Sequence, residues 1–177
     1  MINFKLDKEI NLEGYTFLEG FPGVGLVGSM TISYIIEKLN MECIGYLESY
    51  DFPPLISIHK NIPMSPIRIY VSKKNKLISI FAEFSIPIGL THELSNKLFS
   101  FIKEQKITKI ISISGIPVVK NPGNEQNNDI DNNQVFFVTS DKSLIKPIED
   151  LKIKPISEGI SSGLNALLLF KSLIEKI

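Results

Sequence analysis

The sequence of 177 residues is poor in the side chains that carry most chemistry. Cys43 is the only cysteine, so an internal disulfide or a cysteine-based metal cluster cannot form, and a reducing, cytoplasmic compartment is expected. Arg68 is the only arginine, which disfavours any site built on paired guanidinium forks for phosphate or carboxylate. Two histidines, His59 and His92, are present, and tryptophan is absent. Lys plus Arg and Asp plus Glu both number 19, so the formal net charge is +0 and no bulk field draws in nucleic acid or an anionic membrane. The longest apolar run, Ala166 to Phe170, is far shorter than the roughly 20 residues that cross a bilayer. The opening MINFKLDKEI also lacks the apolar stretch of a signal peptide.

What is present is apolar content. Hydrophobic residues make up 44% of the chain and the mean hydropathy is +0.14, enough for a chain of this size to build a core without staples. A single soluble domain over residues 1–177 is expected.

Tyr15 to Phe21 reads as a strand that runs into GFPGVGLVG. After Gly28, the apolar residues Met30, Ile32, Ile35, Ile36 and Leu39 recur at three and four, the stripe of a helix ending near Asn40. Strands are expected at Cys43–Ser49, Leu55–His59 and Ile67–Val71, with DFPP at Asp51–Pro54 as a break. KKNK at Lys73–Lys76 predicts a hairpin turn before LISIFAEF. Thr91 predicts an N-cap for a helix through Leu94, Leu98, Phe101 and Ile102. The β-branched run Ile107–Ile113 predicts a strand buried on both faces. Residues 120–134 are polar, rich in asparagine and without period, and predict an exposed flexible loop. Val135–Val138 predicts a strand, Asp141 the start of a short helix, and Ser162–Lys176 a final helix. The alternation predicts a three-layer α/β/α fold around a mixed, largely parallel central sheet.

Gly23, Gly25 and Gly28 make a literal GxGxxG between strand and helix, with Glu48 lying 20 residues past Gly28. One reading is a nucleotide or dinucleotide site, in which the glycines admit a pyrophosphate and Glu48 takes a ribose hydroxyl. The other is close packing of helix on sheet, with no ligand at all. A phosphate loop of the GxxxxGK[ST] kind fails, because no lysine or arginine lies between Gly14 and Ile36. Gly159–Gly163 is a literal GxSxG around Ser161, yet both histidines precede it, so the chain order of a hydrolase triad is impossible. His92-Glu93 begins HExxH, but Asn96 stands at the fifth position and the zinc pair is incomplete. No catalytic set and no metal site is assigned. Ligand sites of parallel sheets collect at the carboxyl ends of strands, here Gly20–Gly28, Glu48–Asp51, Glu83–Ser85, Ser112–Gly115 and Thr139–Asp141. These hold no evident nucleophile, base or cation. The last helix is apolar around most of its circumference, from Leu164 to Ile174, and suits either the core or a subunit interface.

GFPGVGLVG (Gly20–Gly28), DFPP (Asp51–Pro54), SISGIPV (112–118) and EGISSGLNALLL (Glu158–Leu169), in that order, resemble the proteasome assembly chaperone family. The likeness is to its archaeal form, related to the second eukaryotic chaperone, and covers roughly residues 14–172. The lysine and isoleucine bias fits such a source, or an AT-rich genome. The resemblance implies a fold similar to purine nucleoside phosphorylases without their catalytic set, no cofactor, and binding to α-type proteasome subunits. Gly20, Gly23, Gly25 and Gly28 would then shape the first strand-to-helix turn. Archaeal members usually continue past the GLNALLL helix, and ring-docking members often end in hydrophobic–tyrosine–any residue; this chain stops at Glu175-Lys176-Ile177. The expectation is a homo-oligomer whose second copy covers the shortened edge through Leu164–Ile174.

Overall fold

The computed structural model describes residues 1–116 and 134–176. Along the chain come β1 (Asn3–Leu6), β2 (Thr16–Glu19), α1 (Val27–Lys38), β3 (Glu42–Glu48), β4 (Ser57–His59), β5 (Ile62–Met64), β6 (Ile67–Ser72) and β7 (Leu77–Ala82). There follow α2 (Thr91–Glu104), β8 (Lys109–Ser112), β9 (Phe136–Phe137), α3 (Ile145–Glu149), β10 (Lys154–Pro155) and α4 (Gly163–Glu175). Six strands form one sheet in the order β1-β3-β6-β7-β2-β8. Strands β4 and β5 make a separate hairpin, and β9 and β10 a separate parallel pair.

The sheet sits between two helical layers. Phe17 of β2, Ile67, Ile69 and Val71 of β6, and Ile78 and Ile80 of β7 point to one face. They share a core with Leu94, Leu98 and Ile102 of α2 and Leu164 and Leu168 of α4. Period-2 and period-3.6 patterns thus meet on a single apolar surface. Phe4 of β1 stacks on Phe101 of α2, with ring centroids 4.5 Å apart, and closes that layer at the sheet's edge. On the opposite face α1 packs over β2 and β7. Leu18 and Ile32 are buried there, outside the main cluster. α1 leaves the β6 side of that face to polar groups, Arg68 and Tyr70 among them.

The mixed sheet agrees with the sequence reading, and its balance is corrected. β7, β2 and β8 are parallel, whereas β1/β3, β3/β6 and β6/β7 are antiparallel, so antiparallel pairing predominates. The hairpin at Lys73–Lys76 sets the β6/β7 pair, with Lys76 at φ 49° and the Asn75 amide donating to Ser72 Oγ at 2.8 Å. β8 is not buried on both faces: it is the sheet's edge, and Ile111 is 49% exposed. A β-branched run reports strand propensity, while position in the sheet decides coverage. Thr91 is the first helical residue rather than the cap. A 3-10 turn, Ile88–Leu90, precedes it, and its hydroxyl donates back to the Pro87 carbonyl at 3.4 Å. The Val135–Val138 strand shortens to β9 and pairs with β10, so Thr139–Asp141 lies at no carboxyl end of the main sheet. The predicted 120–134 loop falls, except for Gln134, outside the described residues. β1 and β5 were not expected from the sequence.

Candidate interaction surface

The carboxyl end of β2 is where the glycine-rich segment meets the sheet. A Cβ on Gly20 would stand 2.5 Å from the Gly28 carbonyl oxygen and 2.5 Å from Ile32 Cγ1. On Gly28 it would stand 2.3 Å from the Ile113 carbonyl oxygen, and on Gly115 2.3 Å from that of Val24. These glycines let α1 and its leading 3-10 turn, Val24–Leu26, lie against the ends of β2 and β8. Gly25 supplies the positive φ (63°) inside that turn, and Gly23 is open. Protein backbone therefore occupies the close approaches that a pyrophosphate would need at Gly20 and Gly28. Glu48 does not converge on them. Its strand lies three positions from β2, roughly 14 Å at ordinary strand spacing, and its carboxylate pairs with Lys5 Nζ at 3.2 Å. Gly28→Ala is accordingly expected to destabilise the fold by about 1–3 kcal/mol through overpacking against β8. Chemical denaturation of wild type and variant checks this; an unchanged midpoint would show that the approach is not tight.

Glu19, at the end of β2, escaped the sequence reading. It is 0% exposed, and no cation is among its partners. The Phe21 amide donates to Oε1 at 2.8 Å, and the Ser112 hydroxyl hydrogen-bonds Oε2. Its backbone carbonyl accepts from Ile113 at 2.8 Å. Burial pushes its carboxyl up to about 7, against the opposing pull of the Ser112 and Phe21 bonds. Glu19 thus joins β2, the glycine segment and edge strand β8. The available signal was an acidic residue inside the apolar run Tyr15–Phe21.

A second polar cluster gathers on the α1 side of the sheet. Arg68, 3% exposed, directs NH2 to Glu83 Oε1 at 2.9 Å, NH1 to the Ser65 carbonyl at 2.9 Å, and Nε to the Tyr70 hydroxyl at 2.8 Å. Its guanidinium lies 5.5 Å from the centre of the Phe81 ring. Glu83 also receives the Ser57 hydroxyl, and Nε2 of His59 lies 2.7 Å from its Oε1. Burial raises the Glu83 carboxyl, but the Arg68 and Ser57 hydrogen bonds outweigh it and hold the group below the usual carboxylate range. His59 has no acidic neighbour along the chain; the fold supplies one from 24 residues away. Ser57 bonds Glu83 rather than His59, so no nucleophile–base pair forms here.

The remaining candidates are dispersed. Ser161 lies on an exposed segment before α4, preceded only by the two-residue β10. Glu93, of the incomplete HExxH, accepts the Ile2 amide at 2.7 Å and so fixes the start of the chain. Asp51 pairs with the Met1 amino group at 2.8 Å. Among the described residues no group of three or more His, Cys, Asp or Glu could hold a metal ion.

Apolar surface is what the molecule does present. α4 buries Leu164, Leu168 and Ser172, one row at spacing four, against α2 and the core, and Lys103–Glu175 ties the two helices at 2.6 Å. Its other row, Phe170, Leu173 and Ile174, is exposed, as is Ile111 on neighbouring β8. α1 likewise exposes Val27, Met30 and Tyr34. Isolated exposed apolar residues are normal, whereas these lie in rows on single helices.

Comparison with known proteins finds relatives of the whole chain. A family model described as PAC2 matches residues 17–177. The chain is 30% identical over 165 residues to the uncharacterized protein MJ0106 of Methanocaldococcus jannaschii, covering 92% of this chain and 63% of that protein. Among solved structures it is similar to Pyrococcus furiosus PbaA, an archaeal homolog of proteasome-assembly chaperone. That likeness has a TM-score of 0.83 and 28% identity over 97% of this chain and 66% of that one. Pyrococcus furiosus PbaB, an archaeal proteasome activator, shares the fold at a TM-score of 0.73 and 20% identity, covering 98% of this chain and 75% of that one. The chain spans just under two thirds of the length of MJ0106 and PbaA.

Proposed function

The chain belongs to the PAC2 family, and on that footing we propose that it is a non-enzymatic assembly chaperone that binds proteasome subunits of the α type. The observation that carries this reading is the likeness to PbaA along nearly the whole chain. The chemistry of the surface agrees with it. The carboxyl ends of the strands carry a buried carboxylate and packed glycines, while the exposed rows on α1 and α4 are apolar. Such rows bind by covering apolar area on a partner whose own neighbours have not yet arrived, at about 25 cal/mol per Å² removed from water. Release follows when the final neighbour covers that area instead. A rigid α/β platform supports this mode because its own core does not depend on the exposed rows.

The same rows suit self-association. We assign a homo-oligomer contact to α4, through Phe170, Leu173 and Ile174, in a reducing, cytoplasmic compartment. Native mass spectrometry of the protein, alone and mixed with its host's proteasome α and β subunits, tests both statements. A discrete complex with α subunits is expected, its mass giving the stoichiometry. A species that ignores both subunit types would restrict the family likeness to fold.

A further inference from the structure

The β4–β5 hairpin leaves isoleucines exposed to water. Pairing sets Ser57 opposite Met64 and His59 opposite Ile62, so these four share a face, and Ser57 and His59 reach Glu83 of the sheet. The other face carries Ile58 opposite Pro63 and continues to Ile56. Ile56 is 62% and Ile58 71% exposed. Ser57 and His59 thus turn toward the protein on the face they share with Met64 and Ile62, while Ile56 and Ile58 turn toward solvent. A two-stranded hairpin is marginally stable alone, and neither strand contributes a residue to the core. At the tip, Lys60 and Asn61 both take positive φ (50° and 65°), the primed two-residue turn that fits a twisted hairpin. The arm is shaped, but its apolar face is uncovered.

A cleft lies beside the hairpin, and Glu83, which binds Ser57 and His59, is among the residues that line it. Between α1 and the end of β7 is an open cleft of about 580 Å³, lined by Leu26, Met30 and Tyr34 on one side and Phe81 and Phe84 on the other. Glu37, one turn beyond Ser33, also lines it, as do Ser29, Ser33 and Ser85. Among the described residues neither Glu37 nor Lys60 has an ion-pair partner. The neighbouring Lys38 is placed over the Tyr34 ring at 5.4 Å. One chain therefore offers an apolar arm with a cationic tip and an apolar cleft with an acidic end.

We propose that the hairpin of one copy of this chain docks in the α1–β7 cleft of a second copy, with Ile56 and Ile58 against Met30 and Tyr34 and Lys60 facing Glu37. The contact joins unlike surfaces, so two copies exchange arms in a closed two-fold pair or associate head to tail into a ring. It rests on the reading of the chain as self-associating and uses a surface separate from α4.

The test uses the full chain in a Cys43→Ser background. Protein carrying Ile58→Cys is mixed with protein carrying Met30→Cys under mild oxidation, after melting curves confirm that both fold; Ile56→Cys replaces Ile58→Cys if the latter does not. The expected product is a disulfide-linked pair with one chain of each kind, formed at least tenfold faster than either chain links to itself. Ile58→Asp without engineered cysteines should weaken self-association at least tenfold. Absence of the mixed product, or self-linking of Ile58→Cys at equal rate, overturns the arm-in-cleft contact, as does a wild-type protein that is monomeric. Leu173→Asp separates the two interfaces: it abolishes a contact through α4 while leaving the mixed Ile58–Met30 link in place. An oligomer lost in Leu173→Asp and no mixed link in its parent would assign assembly to α4 alone.

Discussion

Arg68→Ala is expected to lower the unfolding free energy by about 2 kcal/mol, because three acceptors lose a buried charged donor and Glu83, itself an exposed residue, loses its charged partner. The guanidinium is almost wholly enclosed, with a side-chain exposure of 4% against 23% for the Glu83 carboxylate. Three of its partners lose a donor at once: Glu83, the Ser65 carbonyl and the Tyr70 hydroxyl. Arg68→Lys should recover little of the loss, since one ammonium cannot reproduce a fork that bonds three acceptors from fixed directions. Burial depresses the guanidinium's proton affinity, yet the Glu83 and Tyr70 contacts more than offset it and leave it raised, so Arg68 stays charged at every pH of interest. The double variant Arg68→Ala with Glu83→Gln should be more stable than Arg68→Ala alone, because the orphaned charge is gone. Urea midpoints of the four proteins decide it. A loss below about 1 kcal/mol for Arg68→Ala would mean that water reaches Glu83 and solvates it adequately.

Glu19→Gln should make the protein more stable at alkaline pH and leave it nearly unchanged at pH 4, below the ordinary carboxyl value. The carboxyl has an ordinary value of 4.5 and is pushed up to about 7 by burial in the fold. Between those values the native state keeps a proton that the unfolded chain releases. Stability therefore falls as pH rises through this window and levels off above about 7, where both states are ionised. The full penalty is roughly 3 kcal/mol, from 1.36 kcal/mol for each unit of displacement. The glutamine amide has nearly the same volume, can still accept from the Phe21 amide and can donate to Ser112, and cannot ionise. Wild type and Glu19→Gln compared by denaturant unfolding at pH 4 and pH 8.5 should diverge only at the higher value. Parallel pH profiles would place the titrating group elsewhere.

These two residues also mark the limit of what could be read along the chain. The helices α1 and α4, the hairpin at Lys73–Lys76 and the strands β2, β3, β6 and β7 follow from local patterns of apolar spacing and turn chemistry. Those patterns act over a few residues, which is why they survive without a partner structure. β1 and β5 were invisible because NFKL and the proline-interrupted IPM carry weak local preference and pairing alone makes them strands, whereas β4 lies within the expected Leu55–His59 strand. The glycines were legible as glycines, but not as a contact. Only the placement of α1 over β2 shows Gly28 meeting Ile113, 85 positions away in sequence.

Composition and motif order by themselves determined a disulfide-free α/β protein, the absence of a nucleophile–histidine order around Ser161, and the resemblance to a chaperone family. The tertiary structure alone decided that Glu48 stands apart from the glycine segment, that β8 is an edge, and that Glu83 collects Arg68, His59 and Ser57. It also decided which row of α4 remains outside. The division has a physical cause. Helix stripes and turns are set by neighbours in sequence, whereas burial, proton affinity and ion pairing depend on strand order, which chain connectivity does not specify.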